Sequence, residues 1–344
     1  MDVVTLGLGL GAVFGVAARA RGFCLLRGMK GLLGGGDLSP LRAFALALAV
    51  AIVGAQGLNF FGLTDLSRSL PLRGSFAAGG LFIGGAIFGL GMVLANACGA
   101  RSLVLLAGGN LRSLLVLLCL GLAAQASLTG VLAPWRQALQ LGQISPDALS
   151  VTDLLTGFGL SALPALILAA GLPALLLLWF AKPWRLRPVE AIAALVIGLC
   201  VVAGWWITFA TDDPFDPKVL TSLSFIAPVG EGLLWLMLSS GRAVGFGVAV
   251  VGGTLAGAFA TALLTRSFRL ETFSSGSHSL VAGLGGILMG FGGVLAMGCS
   301  IGQALTGVST LSLASLVASA GILTGIVAGL VVMRQTTLGR SSSQ

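Results

Sequence analysis

Nine stretches of this 344-residue sequence each run for about 20 mostly apolar residues, the length a helix needs to cross the hydrocarbon of a bilayer. Their limits read as 3–20, 41–63, 75–97, 111–133, 161–181, 189–210, 243–265, 279–298 and 311–333. Composition agrees. Charged residues make up 9% of the chain and hydrophobic ones 56%, whereas soluble domains average about 25% charged residues. Most of this surface is therefore unable to face water. The 53 glycines suit helices whose backbones approach closely in lipid. The expectation is an all-α membrane protein forming a single transmembrane domain over 1–344. Met1 and Asp2 lead straight into an apolar run without a basic n-region, so no cleavable signal peptide is expected.

Four further apolar stretches are too short or too interrupted to cross: 21–35, 98–109, 218–240 and 299–309. They read as re-entrant half-helices and loops meeting near the midplane. Such backbone is tolerated at membrane depth only inside protein or against a polar cavity. With the nine spans alternating in direction, fourteen of the 19 Lys and Arg residues fall on one side. The positive-inside bias makes that side cytoplasmic. The N-terminus is then periplasmic and the C-terminus cytoplasmic. The net charge of +8 reports this orientation and not a nucleic-acid partner. Trp135, Trp179, Trp184 and Trp235 fall near span ends, where interfacial tryptophan is expected.

The chain repeats itself. Residues 84–98, GGAIFGLGMVLANAC, match 285–299, GGILMGFGGVLAMGC, at eight of fifteen positions without a gap. The glycines match partly by composition, but the shared VLAxxC ending does not. The two copies lie five spans apart and so run in opposite directions. The expected organisation is a first repeat over 1–134, a connector with span five over 135–188, an inverted second repeat over 189–335, and a polar tail over 336–344. Inverted repeats are a transporter architecture, with the substrate site where broken helices meet near the midplane.

Cys98 and Cys299 end the two repeat copies, each at a helix break before a short apolar segment. Unpaired N–H groups at such a helix start attract anions and favour a thiolate. Cys24 lies in ARARGFCLLRGMK, among Arg19, Arg21, Arg27 and Lys30. The corresponding place in the second half carries Ser222 and Ser224. Asn96, Arg101 and Gln303 are polar groups beside the repeat cysteines, and buried polar groups at this depth are costly and often functional. Cys119 and Cys200 sit mid-span and read as packing residues. There is no CxxC pair and only one histidine, so neither a metal nor another cofactor is expected. The mid-span regions hold no acidic residue, which argues against a proton relay.

The GxGxxLAxxC pattern at Gly89–Cys98, its second form at Gly290–Cys299, and RGFCLLRGM around Cys24 resemble the YeeE/YedE family of bacterial inner-membrane proteins. The resemblance covers essentially the whole chain. It implies nine spans with loops plunging toward the centre from both faces, and uptake of thiosulfate. It implies that Cys24, Cys98 and Cys299 line the path. It also implies a small soluble sulfur-carrier protein of the TusA type as a cytoplasmic partner. Two features depart from the family pattern: Ala97 precedes the first repeat cysteine where the second copy keeps Gly298, and Arg101 lies close by. They leave room for a selenium or other sulfur oxyanion. The competing class is a membrane thiol oxidoreductase, which needs two cysteines close in space.

Overall fold

Each apolar run folds as helix, because a backbone inside lipid must satisfy its own N–H and C=O groups. The computed structural model describes residues 2–140, 142, 148–212, 219–241, 243–271 and 276–341; of residues 21, 277 and 336–341 only the backbone is described. The helices are α1 Val3–Arg21, α2 Leu25–Gly34, α3 Ser39–Phe60, α4 Ala78–Ala95, α5 Gly99–Leu106, α6 Leu111–Leu128, α7 Ala133–Leu139 and α8 Val151–Gly157. They continue with α9 Ala162–Leu166, α10 Leu172–Ala181, α11 Pro188–Ala210, α12 Ile226–Met237, α13 Phe246–Leu264, α14 Gly276–Leu295 and α15 Leu313–Ser341. A π-helical turn, Ile167–Gly171, joins α9 to α10, and a second one, Gly302–Gly307, follows α14.

Among the described residues nine helical segments are long and apolar enough to cross a membrane, as the sequence predicts. Two of them are α1 with α2 and α4 with α5, each pair broken once. The helix α12 is the one shorter apolar helix. The last span runs on as helix to Ser341, into the stretch expected to be a polar tail. Two short helices, α7 and α8, lie in the connector and were not expected from the sequence. Pro134 opens the first, and a Ser150–Asp153 capping box opens the second.

Glycine-lined crossings fix how the spans run. Gly11 and Gly15 of α1 abut Val250 and Thr254 of α13, and Gly253 and Gly257 of α13 abut Leu8 and Ala12, so these two helices are parallel. In α4, Gly85 meets Ala318 and Gly89 meets Ile322 of α15, again in parallel. Gly286 and Gly290 of α14 meet Val116 and Leu120 of α6, also in parallel. Gly198 of α11 packs on Ala47 of α3, and Gly54 on Val202, so these also run together. The helices α4 and α14 cross antiparallel, Gly84 against Leu295 and Gly91 against Gly285. At each of these sites an added Cβ would meet the neighbouring helix. Two faces result. The face where α1, α4 and α13 end carries Arg19, Arg27, Lys30 and Arg101 and is called the basic face below.

Candidate functional site

Three helix breaks share one geometry. The α1 helix stops at Gly22, α4 at Asn96, and α14 just before Met297, and each of these residues has φ near +60°. A left-handed residue ends a helix by turning the chain away from its axis. Two residues later comes a cysteine: Cys24, Cys98 and Cys299. Cys24 and Cys98 are the N-cap residues of α2 and α5. The amides of Leu26 and Arg27 face the Cys24 sulfur, and that of Arg101 faces Cys98. The Cys299 sulfur accepts a hydrogen bond from the Gly302 amide at 3.2 Å. All three thiols are buried, and none is in a disulfide.

The structure brings the thiols of Cys24 and Cys98 close enough to interact with each other. The sequence did not announce this pair, because the residues are far apart in the chain and share no motif. Both thiols line a cavity of about 370 Å³ that reaches the basic face, together with Arg19, Arg101, Ser300 and Ile301. A second cavity of about 530 Å³ approaches from the opposite face, lined by Ser222, Ser224, Gly298, Gly302 and Gln303 among others. Cys299 lines neither. It lies in the segment 298–303, whose residues 300 and 301 face one cavity and whose residues 298, 302 and 303 face the other. Phe225 follows Ser224 of the second cavity's lining, and its ring lies 5.1 Å from that of Phe14 in the first cavity's lining.

The electrostatics of the first cavity are one-sided. Arg101 donates from Nη1 to the Gly22 carbonyl at 3.0 Å, and Arg27 donates to the same oxygen at 3.4 Å. Arg19 donates to the Val104 carbonyl at 3.1 Å and to Ser267 Oγ at 2.9 Å. The one salt bridge among the described residues is elsewhere, between Arg68 and Asp212. Neither Arg19 nor Arg101 is salt-bridged to a carboxylate among the described residues, whereas Arg27 feels the charge of Asp37.

The remaining sequence-predicted residues divide. Gln303 is buried in the wall of the second cavity; its Nε2 donates to the Ala296 carbonyl at 2.7 Å, while its Oε1 has no partner. Ser222 donates to the Val201 carbonyl at 2.7 Å and lines that cavity with Ser224. Asn96 differs from expectation. It is exposed, lines neither of the two central cavities, and accepts from Lys30 Nζ at 2.6 Å. Its place goes with its backbone, which turns left-handed there and leaves the side chain outside both cavities. The side chain of Arg21 lies outside the described residues. Cys200 is buried within α11 and Cys119 half-buried within α6, away from both cavities. Sequence reasoning missed Arg19, Ser300 and Trp205, whose indole donates to Ser309 at 3.2 Å beside the second cavity. The sequence names Arg19 only as one of four basic residues around Cys24, with nothing to single it out. No cluster of three or more potential metal ligands occurs among the described residues.

Comparison with known proteins places this architecture among transport proteins. The model of a family described as sulphur transport matches residues 20–328. The thiosulfate transporter TsuA of Escherichia coli (strain K12) is 27% identical over 322 residues, covering 88% of this chain and 87% of its own length. The TsuA of Spirochaeta thermophila is 29% identical over 344 residues, covering 92% of this chain and 95% of its own. Both relatives are named as transporters.

Proposed function

The chain belongs to the sulphur transport family, and on that premise we propose that it takes up thiosulfate across the bacterial inner membrane along a path formed by Cys299, Cys98 and Cys24. One observation carries the reading: two cavities approach from opposite faces and are divided by the thin segment that holds Cys299, with Cys24 and Cys98 in the far wall. The names of the two TsuA relatives support the substrate. Thiosulfate is a dianion with a polarisable terminal sulfur. A thiol donates a weak S–H hydrogen bond and accepts a soft contact. Sequential weak sites let an ion enter and leave. The thiols act as a relay without net covalent change, with Gln303, Ser222 and Ser224 on the approach and Arg101 on the basic side.

The basic face is the cytoplasmic one in this reading, by the positive-inside bias, with the N-terminus periplasmic. A TusA-like sulfur carrier would receive the anion there. The organisation behind the path is an inverted repeat. Its support is that α1, α3, α4 and α6 have counterparts α11, α13, α14 and α15, and the packed pairs correspond: α1 on α13 with α11 on α3, and α4 on α15 with α14 on α6. The left-handed residues Asn96 and Met297 correspond as well.

The test is growth of a sulfur-auxotrophic bacterium lacking its own uptake system, on thiosulfate as sole sulfur source. The wild-type gene is expected to restore growth. Cys24→Ala, Cys98→Ala and Cys299→Ala are each expected to cut thiosulfate uptake by about tenfold or more, the scale of losing one polar contact in a site made for it. Full growth from all three variants overturns the thiol path.

The closeness of Cys24 and Cys98 favours one second reading, a membrane thiol oxidoreductase. Such an enzyme would cycle this pair between dithiol and disulfide during turnover. Rapid acid quenching and alkylation during uptake separates the two, since a transporter leaves both thiols reduced throughout.

A further inference from the structure

The cavity at the basic face holds two kinds of group that thiosulfate alone, among simple sulfur anions, would use together. Cys24 and Cys98 present soft sulfur on one wall; Arg19 of α1 and Arg101 of α5 present guanidinium groups in the same cavity. A guanidinium has five N–H donors. Arg101 uses Nη1 on the Gly22 carbonyl. Arg19 uses Nη1 on Val104 and Nη2 on Ser267, and its Nε is buried without a partner. Those internal bonds hold both side chains in place. Each arginine is anchored to backbone and neither is salt-bridged to a carboxylate among the described residues. Both side chains are partly exposed, so an anion entering the cavity can reach them. Ser300 and Thr265 add hydroxyls to the same cavity. With about 30 Å³ per water molecule, a cavity of about 370 Å³ admits a five-heavy-atom anion with several waters around it.

We propose that Arg19 and Arg101 form an oxyanion clamp that holds the sulfonate end of thiosulfate while Cys24 and Cys98 hold its terminal sulfur. This rests on the thiosulfate reading above and adds to it the source of selectivity. Sulfate satisfies the arginines but offers nothing to the thiols. Hydrosulfide satisfies the thiols but leaves the arginines unmatched. Only an anion with both ends uses the whole cavity. Arg19 and Arg101 set affinity for the class; the thiols set preference within it.

The experiment is titration calorimetry of the purified full-length protein in lipid nanodiscs, with sodium thiosulfate and sodium sulfate as probes. Wild type is expected to bind thiosulfate more tightly than sulfate. Arg19→Gln and Arg101→Gln are each expected to weaken both anions by about tenfold, the scale of one charge-assisted hydrogen bond. The Cys24→Ala, Cys98→Ala double variant is expected to weaken thiosulfate only, bringing it level with sulfate. Arg185→Gln, a charge outside the cavity, is expected to change neither. Since Arg19 also ties α1 to α5, Arg19→Lys and gel filtration guard against misfolding, and Arg101→Gln decides alone if Arg19→Gln does not fold. Undiminished thiosulfate affinity in a folded Arg101→Gln variant overturns the clamp and leaves the thiosulfate reading standing. Arginine-dependent sulfate binding with no preference for thiosulfate keeps the clamp and removes the thiosulfate reading. Wild type binding neither anion overturns both.

Discussion

At the scale of single residues, the proposed path depends on where three sulfur atoms lie. Each follows a left-handed residue by two positions, so each sits where a helix has just ended and the next begins. Cys24 and Cys98 lie close to each other, while Cys299 is held by the Gly302 amide. A prediction follows from that difference. Diamide is expected to join Cys24 to Cys98 with transfer of two electrons to the oxidant, and to stop uptake. Dithiothreitol is expected to restore it. Mass spectrometry after alkylation should find Cys299 modified and the other two linked. All three thiols modified after diamide has reached them would mean that the pair is not in contact. Sequence could nominate the three cysteines because two of them close the repeated VLAxxC element and the third lies in a basic turn. It could not pair Cys24 with Cys98, since closeness between residues so far apart in sequence is written in the packing of α2 against its neighbours. Nor could it separate Arg19 from the surrounding topology charges. A cytoplasmic loop arginine and a cavity arginine read alike until α5 is laid beside α1.

The helices were legible because a span announces itself by length and apolarity, and the limits read from the sequence fall within a few residues of those found for most of the nine. What sequence left open was which helices meet. Glycine answers that here. Gly257 of α13 lies against the Ala12 backbone of α1, and Gly11 against Val250, with no room for a Cβ at either. In lipid the gain from apolar burial between helices is small, so close van der Waals approach does much of the holding. Gly257→Ala is expected to push α1 from α13 and cost about 1–3 kcal/mol, the usual scale of overpacking. It should appear as a lower melting temperature in detergent. Gly9→Ala sits on an open, exposed face of α1. That change is expected to be neutral or stabilising by up to about 1 kcal/mol, because alanine is the better helix former. Equal melting temperatures for the two variants would show that the crossing does not depend on glycine. The connector was harder to read. Its short helices α7 and α8 lack the length that betrays a span, and only the Pro134 and Ser150 start signals mark them.

At the scale of the whole molecule, one thin septum lies between two cavities. The cavities, about 370 and 530 Å³, reach in from opposite faces and stop at residues 298–303. Water-filled cavities conduct, so a membrane voltage falls almost entirely across whatever insulates them from each other. Here that insulator is a few residues thick, not the full bilayer of about 30 Å. On the proposed path, a dianion passing Cys299 would cross nearly the whole electric field in one short step. Moving one charge through 100 mV is worth about 2.3 kcal/mol, so a dianion driven inward against a negative interior meets about 4.6 kcal/mol, equivalent to a concentration ratio of about 2,000. Uptake by simple equilibration would stall far below the outside concentration. Net flow needs either a co-transported cation or a reaction inside the cell that removes the anion on arrival. In proteoliposomes with a potassium–valinomycin potential, thiosulfate uptake is expected to quicken steeply when the interior is positive and slow when it is negative. The same rate at both polarities would mean that compensating charge travels with the anion, and the septum would then be the place to look for its binding site.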